Sequence, residues 1–191
     1  MQKILVIDNF DSFTYNLVHY IEAHPDCEIR VVRNNEISLE EVGEYDTLVL
    51  SPGPGLPDDA GMTKAVIQRY APVKKILGVC LGMQAIGEVF GAELKNLQTV
   101  YHGVATPLKV LDATNELYKD LPGQFEIGRY HSWVLASGRV PSCLEITAVD
   151  AENNPMSLKH KDYRVYGVQY HPESVLTENG RKIISNFLEI N

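Results

Sequence analysis

Residues 75–91, K-I-L-G-V-C-L-G-M-Q-A-I-G-E-V-F-G, decide how the chain is read. Ile76 to Val79 forms a short apolar strand, and Leu81 to Phe90 an apolar helical run, with Cys80 between them and no loop residues on either side. Gly78 and Gly82 flank the cysteine in G-x-C-x-G. This is the cysteine form of the nucleophile elbow, in which a strand turns abruptly into a helix and presents the nucleophile at the bend. The glycines remove side chains that would collide across so tight a turn. A free thiol has a pKa of about 8.5 and attacks as its thiolate. A helix N-terminus, with unpaired N–H groups and partial positive charge, favours that thiolate and a later oxyanion. A free cysteine by itself is most often a small buried core residue. The elbow is what points to chemistry, and a nucleophile then needs a base.

The base stands near the other end of the chain, in G-V-Q-Y-H-P-E, residues 167–173. His171 follows an apolar strand, and Glu173 lies two positions on. In extended backbone, residues i and i+2 point the same way, and Pro172 is expected to hold the pair extended. The carboxylate can then accept the imidazole N–H, fix its tautomer and support the imidazolium. H-x-E alone is a weak signal; with the elbow it completes a Cys80–His171–Glu173 triad for acyl transfer. His19, His24, His102, His131 and His160 have no comparable partner by spacing and read as structural or exposed.

The chain has 191 residues, 45% of them hydrophobic and 22% charged, which suits one globular domain over 1–191. A net charge of −8 argues against a nucleic-acid surface, which needs a basic stripe. Cys27, Cys80 and Cys143 match neither a disulfide framework nor a metal spacing. The apolar run in M-Q-K-I-L-V-I-D is too short for a signal peptide or membrane span. We expect no membrane association and a cytoplasmic location.

Lys3 to Ile7 reads as a buried strand, followed by the cap-rich D-N-F-D-S and a helix from Phe13 to Ala23 with Phe13, Leu17 and Ile21 on one stripe. Asp8 and Asp11 are read as capping and turn residues rather than as a metal or phosphoacceptor pair. Cys27 to Val32 is a second strand, Asn34-Asn35-Glu36 a turn, and Leu48 to Leu50 a third strand. This alternation predicts an α/β fold around a mostly parallel sheet flanked by helices. S-P-G-P-G-L-P-D-D, residues 51–59, then makes a stiff non-helical loop able to expose N–H groups, and lacks the Lys-Ser or Lys-Thr of a phosphate loop. Loops after parallel strands gather at one sheet edge, which places this loop beside Cys80. A helix from Gly61 to Tyr70 leads into the elbow. From Tyr101 onward short strands follow at Val104–Leu111, Phe125–Tyr130, Leu144–Val149, Met156–Lys159 and Val165–Tyr170, expected as antiparallel additions to the sheet. A helix from Glu178 to Glu189 turns Ile183, Ile184, Phe187 and Leu188 inward.

The segments G-V-C-L-G-M-Q, Y-H-P-E and S-P-G-P-G resemble those of the class I, triad-type glutamine amidotransferases, with their flavodoxin-like sheet. I-D-N-F-D-S-F-T-Y-N-L, V-R-N-N-E and G-R-Y-H-S are similar to the glutaminase subunits of anthranilate synthase, and almost equally to those of aminodeoxychorismate synthase. The resemblance spans essentially the whole chain. It implies that Cys80 attacks the side-chain amide of L-glutamine, that His171 shuttles protons and that Glu173 orients it. It further implies an oxyanion hole from the N–H groups of Gly53 and Leu81 within the P-G-P-G loop (Gly53, Pro54, Gly55), and glutamine held by Gly55, Gln84, Ser132 and Trp133. Ammonia would pass to a chorismate-binding synthase subunit near the Asp8–Tyr15 region. No cofactor is implied for this chain, and Mg is implied on the synthase partner. Met83 and Trp133 depart from the histidine and leucine common at these positions. A glutaminase subunit of aminodeoxychorismate synthase, or one shared by both synthases, is the first alternative; a stand-alone cysteine γ-glutamyl hydrolase and a non-catalytic regulatory subunit on the same scaffold are the more distant ones.

Overall fold

The computed structural model describes residues 1–190. The first half alternates strand and helix: β1 (Gln2–Asp8), α1 (Thr14–Glu22), β2 (Cys27–Arg33), α2 (Leu39–Val42), β3 (Thr47–Leu50), α3 (Thr63–Tyr70), β4 (Lys75–Val79) and α4 (Leu81–Val89). The second half is mostly strands: β5 (Leu94–Asn96), β6 (Val104–Val110), β7 (Gln124–Arg129), β8 (Trp133–Leu135), β9 (Leu144–Val149), β10 (Pro155–His160) and β11 (Val165–Val168), closed by α5 (Gly180–Glu189).

The main sheet has nine strands in the order β2-β1-β3-β4-β11-β10-β9-β6-β7. The strands from β2 to β11 run parallel, and β10, β9, β6 and β7 continue the sheet antiparallel. The expectation of antiparallel additions therefore holds for four strands and fails for β11, which runs parallel to β4 with Val168 opposite Val79. The reason is connectivity. The hairpin from β10 returns β11 into the middle of the sheet, beside β4 rather than outside it.

Successive residues of a central strand face opposite layers, so β1 is apolar throughout. Ile4 and Val6 pack with Leu17, Val18 and Ile21 of α1 and Ile183, Ile184 and Phe187 of α5. Leu5 and Ile7 pack with Val42 of α2, Val66, Ile67 and Tyr70 of α3, and Ala85 and Ile86 of α4. A sheet between two helical layers, one holding α1 and α5 and the other α2 to α4, is the result.

Several sequence expectations shift in detail. α1 starts at Thr14, with Phe13 as its cap. The carboxylates do form the turn before it: Asp8 Oδ1 accepts from Asp11 N and Thr14 Oγ1, and Asp11 Oδ2 from Phe13 N. α2 was not anticipated, although Ser38 and Glu41 form a complete capping box. The stiff loop after β3 is not wholly non-helical, because Pro57–Asp59 winds into a 3-10 turn with proline in its first position. β11 ends at Val168 and α5 begins at Gly180, so the chain between them is an irregular loop. The separate pair β5–β8 was also missed; at three residues each, its strands are too short to show a period.

Candidate active site

The end of β4 is where the backbone bends most sharply. Cys80 takes φ +52 and ψ −103, a conformation costly for a residue with a side chain. The flanking glycines make it feasible. A Cβ on Gly78 would lie 2.4 Å from the Gly82 carbonyl carbon, and one on Gly82 would lie 2.5 Å from the Leu50 oxygen. Gln84 N donates to the Cys80 oxygen at 3.1 Å, so α4 begins at once and its free first-turn N–H groups lie beside the thiol.

β11 ends alongside, and Cys80 N donates to Val168 O at 2.8 Å. Three residues later His171 is buried with its Nδ1 2.7 Å from Glu173 Oε1. The link between them is not extended, contrary to the sequence expectation. Ser174 N donates to His171 O at 3.1 Å, making residues 171–174 a turn with Pro172 in its second position, the place a type I turn favours for proline. The pair meets across a turn rather than along a strand. Burial opposes the imidazolium, but the adjacent Cys80 sulfur and the Glu173 carboxylate outweigh it and push His171 up to about 10; Nε2, the ring nitrogen turned away from Glu173, is buried without a hydrogen-bond partner. The rings of Tyr130 and Phe13 pack on His171 at centroid distances of 4.8 and 5.8 Å.

The loop carrying this pair is held to the edge strand β7. His171 N donates to Gly128 O at 3.0 Å, Gly128 N to Thr177 Oγ1 at 2.9 Å, and Thr177 Oγ1 in turn to His171 O. Glu178 N donates to Glu126 O, and Glu126 N to Glu178 Oε2. The antiparallel extension of the sheet thus fixes the histidine next to the elbow.

The loop after β3 is fixed from the other side. Asn9 N donates to Ser51 Oγ and Asn9 Nδ2 to Ser51 O, both at 2.8 Å, while Asn9 Oδ1 accepts from Thr63 Oγ1 and Asn34 Nδ2. Lys64 ties the 3-10 turn to α4 through Asp58 at 2.7 Å and Glu88 at 3.0 Å. So held, Gly53 approaches the elbow closely enough that a Cβ on it would lie 2.8 Å from Leu81 Cδ2.

Two cavities meet at Cys80. The first, about 220 Å³, is lined by Gly53, Pro54, Gly55, Leu81, Gln84, Ser132 and Trp133, with Val100, Tyr101, His102, Tyr130 and His131 completing its walls. Every residue expected around the substrate is therefore gathered there. The second, about 480 Å³, lies on the His171 side and is lined by Phe10, Asp11, Ser12 and Phe13. Asp11 faces the pair from that side. Burial raises its carboxyl above the usual range, opposed by the Phe13 N–H and the His171 charge. Glu173 lines neither cavity and sits behind the imidazole. Among the described residues no group of three or more His, Cys, Asp or Glu could hold a metal ion, and no helix is long and apolar enough to cross a membrane.

Gln169 was missed by the sequence reading: its Nε2 lies 3.5 Å from Cys80 Sγ. Its place two residues before His171 was the available signal. Arg129 was missed as well; it is buried, paired with Asp150 at 3.0 Å and stacked 3.5 Å above the Tyr101 ring. His131, read from the sequence as structural or exposed, is buried and stands on the wall of the first cavity. Burial and then the neighbouring Arg129 charge push it down to about 3, and its Nε2 accepts from Arg129 Nε at 3.1 Å. Such a geometry can generate a thiolate, protonate a leaving nitrogen and hold a small polar substrate between the S-P-G-P-G loop and residues 130–133.

The family model "Glutamine amidotransferase class-I" matches residues 5–190. The chain is 43% identical to anthranilate synthase component 2 of Pseudomonas aeruginosa, over 97% of this chain and 94% of that protein. It is 40% identical to aminodeoxychorismate synthase component 2 of Serratia marcescens, over 97% and 98%. It is also 43% identical to the bifunctional protein TrpGD of Thermotoga maritima, of which it spans only 32%. A solved structure from Thermoplasma acidophilum, described as a GMP synthase subunit, superposes with a TM-score of 0.88 at 27% identity, covering 98% of this chain and 92% of that one.

Proposed function

Because the chain belongs to the class I glutamine amidotransferases, we propose that it is the glutaminase subunit of a chorismate-aminating synthase, acting in the cytoplasm to supply ammonia for anthranilate. Cys80 Sγ attacks the side-chain amide carbon of L-glutamine. His171 protonates the departing nitrogen, ammonia leaves, and a γ-glutamyl thioester remains. Water, deprotonated by the now neutral His171, releases glutamate and restores the thiol. Glu173 accepts the imidazole N–H and holds its tautomer through both halves. The N–H groups of Gly53 and Leu81 receive the oxyanion, with Pro54 stiffening their loop, and Gly55, Gln84, Ser132 and Trp133 hold the amino-acid end. The chain takes no cofactor of its own; Mg resides on the chorismate-binding synthase partner.

One observation carries this reading: Cys80 stands with His171 and Glu173, some ninety residues away in sequence, beyond the ends of adjacent parallel strands, and the thiol opens onto a cavity of amino-acid size. The anthranilate assignment is supported by the component 2 relative at 43% identity. Aminodeoxychorismate synthase is the second reading, favoured by the relative at 40%.

The test is glutamate release by the purified chain, alone and mixed with the chorismate-binding subunit of anthranilate synthase. Low release alone, rising on mixing with chorismate and yielding anthranilate, is expected. Cys80→Ala abolishes the glutamine-dependent product and spares the ammonia-dependent one. High release that the partner does not change, or amination only with the aminodeoxychorismate synthase partner, overturns the assignment.

A further inference from the structure

The side chain of Gln169, fully buried, bridges the nucleophile and the wall of the substrate cavity. Its Nε2 lies 3.5 Å from Cys80 Sγ, and its Oε1 accepts from Gln84 Nε2 at 3.1 Å. An amide can be turned end for end, and which end faces sulfur decides whether the thiolate meets a donor or a repelling oxygen. Here the direction is fixed from outside. Gln84 Nε2 also donates at 2.9 Å to the Trp133 carbonyl, which can only accept. Gln84 therefore turns its NH2 toward Gln169, which must answer with oxygen and leave its own NH2 for the sulfur.

The Trp133 carbonyl is itself held in place. His131 Nδ1 lies 3.1 Å from it, and the opposite ring nitrogen faces Arg129 Nε, which can only donate. The ring is thus neutral with its proton on Nδ1, in keeping with a pKa near 3 caused by burial and the Arg129 charge. Asp150, 3.0 Å from the guanidinium and equally buried, balances that charge and anchors the far end. Every link from Asp150 to Cys80 has one permitted orientation.

We propose that Gln169 is a catalytic hydrogen-bond donor to the Cys80 thiolate, and that Gln84, His131 and Arg129 are positioning residues that keep its NH2 turned toward the sulfur. The proposal rests on the reading of Cys80 as the nucleophile. It adds a stabilising contact to those that His171 and the N-terminus of α4 offer the sulfur. It also ties the thiolate to the cavity wall, since Gln84 both lines the cavity and orients Gln169.

The test is the pH dependence of Cys80 alkylation by iodoacetamide in the full chain, with Cys80, Cys27 and Cys143 resolved by peptide mass spectrometry. The titratable groups facing the thiol are His171, Asp11, His102, Tyr101, Tyr130 and His131; all are retained in the Gln169 variants, so they affect each profile alike. In Gln169→Leu the midpoint rises by about one pH unit, a roughly tenfold loss of reactivity below it. Gln169→Glu, of nearly the same shape, raises it further because an oxygen then faces the sulfur. His131→Gln moves it in the same direction by less. A wild-type Cys80 no more reactive than Cys27 and Cys143 at neutral pH overturns the nucleophile reading itself. A selectively reactive wild type with unmoved midpoints in both Gln169 variants overturns only the donor role, whatever happens to turnover. If the leucine variant does not fold, the glutamate variant alone decides in the same way.

Discussion

Two buried histidines near the thiol respond to pH with opposite signs. His131 is pushed down to about 3 from its ordinary 6.5, so the unfolded chain binds its proton first as pH falls. Its contribution to stability is complete above about pH 6.5 and is lost progressively toward pH 3. His171 is pushed up to about 10, so its contribution is complete below about 6.5 and is lost as pH rises through 10. Urea-unfolding midpoints measured across pH are therefore expected to decline on both sides of a maximum near about pH 6–7. His131→Gln flattens the acid side alone, and an unchanged acid slope in that variant excludes the buried neutral ring as its cause. The same residues show what a single sequence can and cannot reveal. Gly78, Cys80 and Gly82 were legible because a strand-to-helix bend without loop residues allows few solutions, and each glycine proves to face backbone at under 3 Å. Arg129 was not legible, because its role depends on which strand lies beside which and no local spacing encodes that, and Gln169 had only its place two residues before His171 to mark it.

The loop from His171 to Glu178 owes its shape to the strand it lies on more than to its own residues. Thr177 supplies one hydroxyl to two backbone groups, accepting from Gly128 N–H and donating to His171 C=O. Thr177→Val keeps the volume and leaves the buried Gly128 N–H unpaired, at a cost of about 1–3 kcal/mol. His171 also loses its fixed height above the elbow. On the proposed mechanism we expect kcat for glutamine to fall roughly tenfold while KM stays within about twofold, since misplacing an acid–base group is costly and this loop does not line the first cavity. Steady-state kinetics of the assembled complex check this, and a rise in KM at constant kcat argues against it. The turn at Pro172 explains the sequence misreading of this loop. Proline fits extended chain and the second position of a turn equally well, and the β7 edge that selects the turn is remote in sequence. By contrast β1, β3 and β4 were readable as buried strands because both of their faces are covered, which leaves an unbroken apolar run.

The molecule as a whole joins two construction plans, a wound parallel half and an antiparallel half, and the candidate site lies where they meet. Arg129 on β7 and Asp150 just after β9 form a buried ion pair within the second half. Removing one member leaves an uncompensated charge, so Asp150→Asn or Arg129→Met is expected to cost about 3–5 kcal/mol. The double variant Arg129→Met, Asp150→Asn recovers part of that loss, since no charge is then left buried alone. Chemical denaturation of the three variants measures the coupling, and additive losses exclude it. The order β4-β11-β10 was the least legible feature of the fold, because inserting a late strand parallel to β4 is a property of the completed sheet.

The segment that carries His171 and Glu173 also covers the outer hydrogen-bonding groups of β7 at Glu126 and Gly128. An uncovered strand at the end of a sheet is a template onto which another chain can add. This loop therefore serves as the guard of that edge, and a substitution that loosens it exposes the protein to self-association as well as, on the proposed mechanism, to slow turnover. Selection for solubility and selection for chemistry fall on the same eight residues, 171–178, so variants that express well have already been filtered for a well-seated histidine.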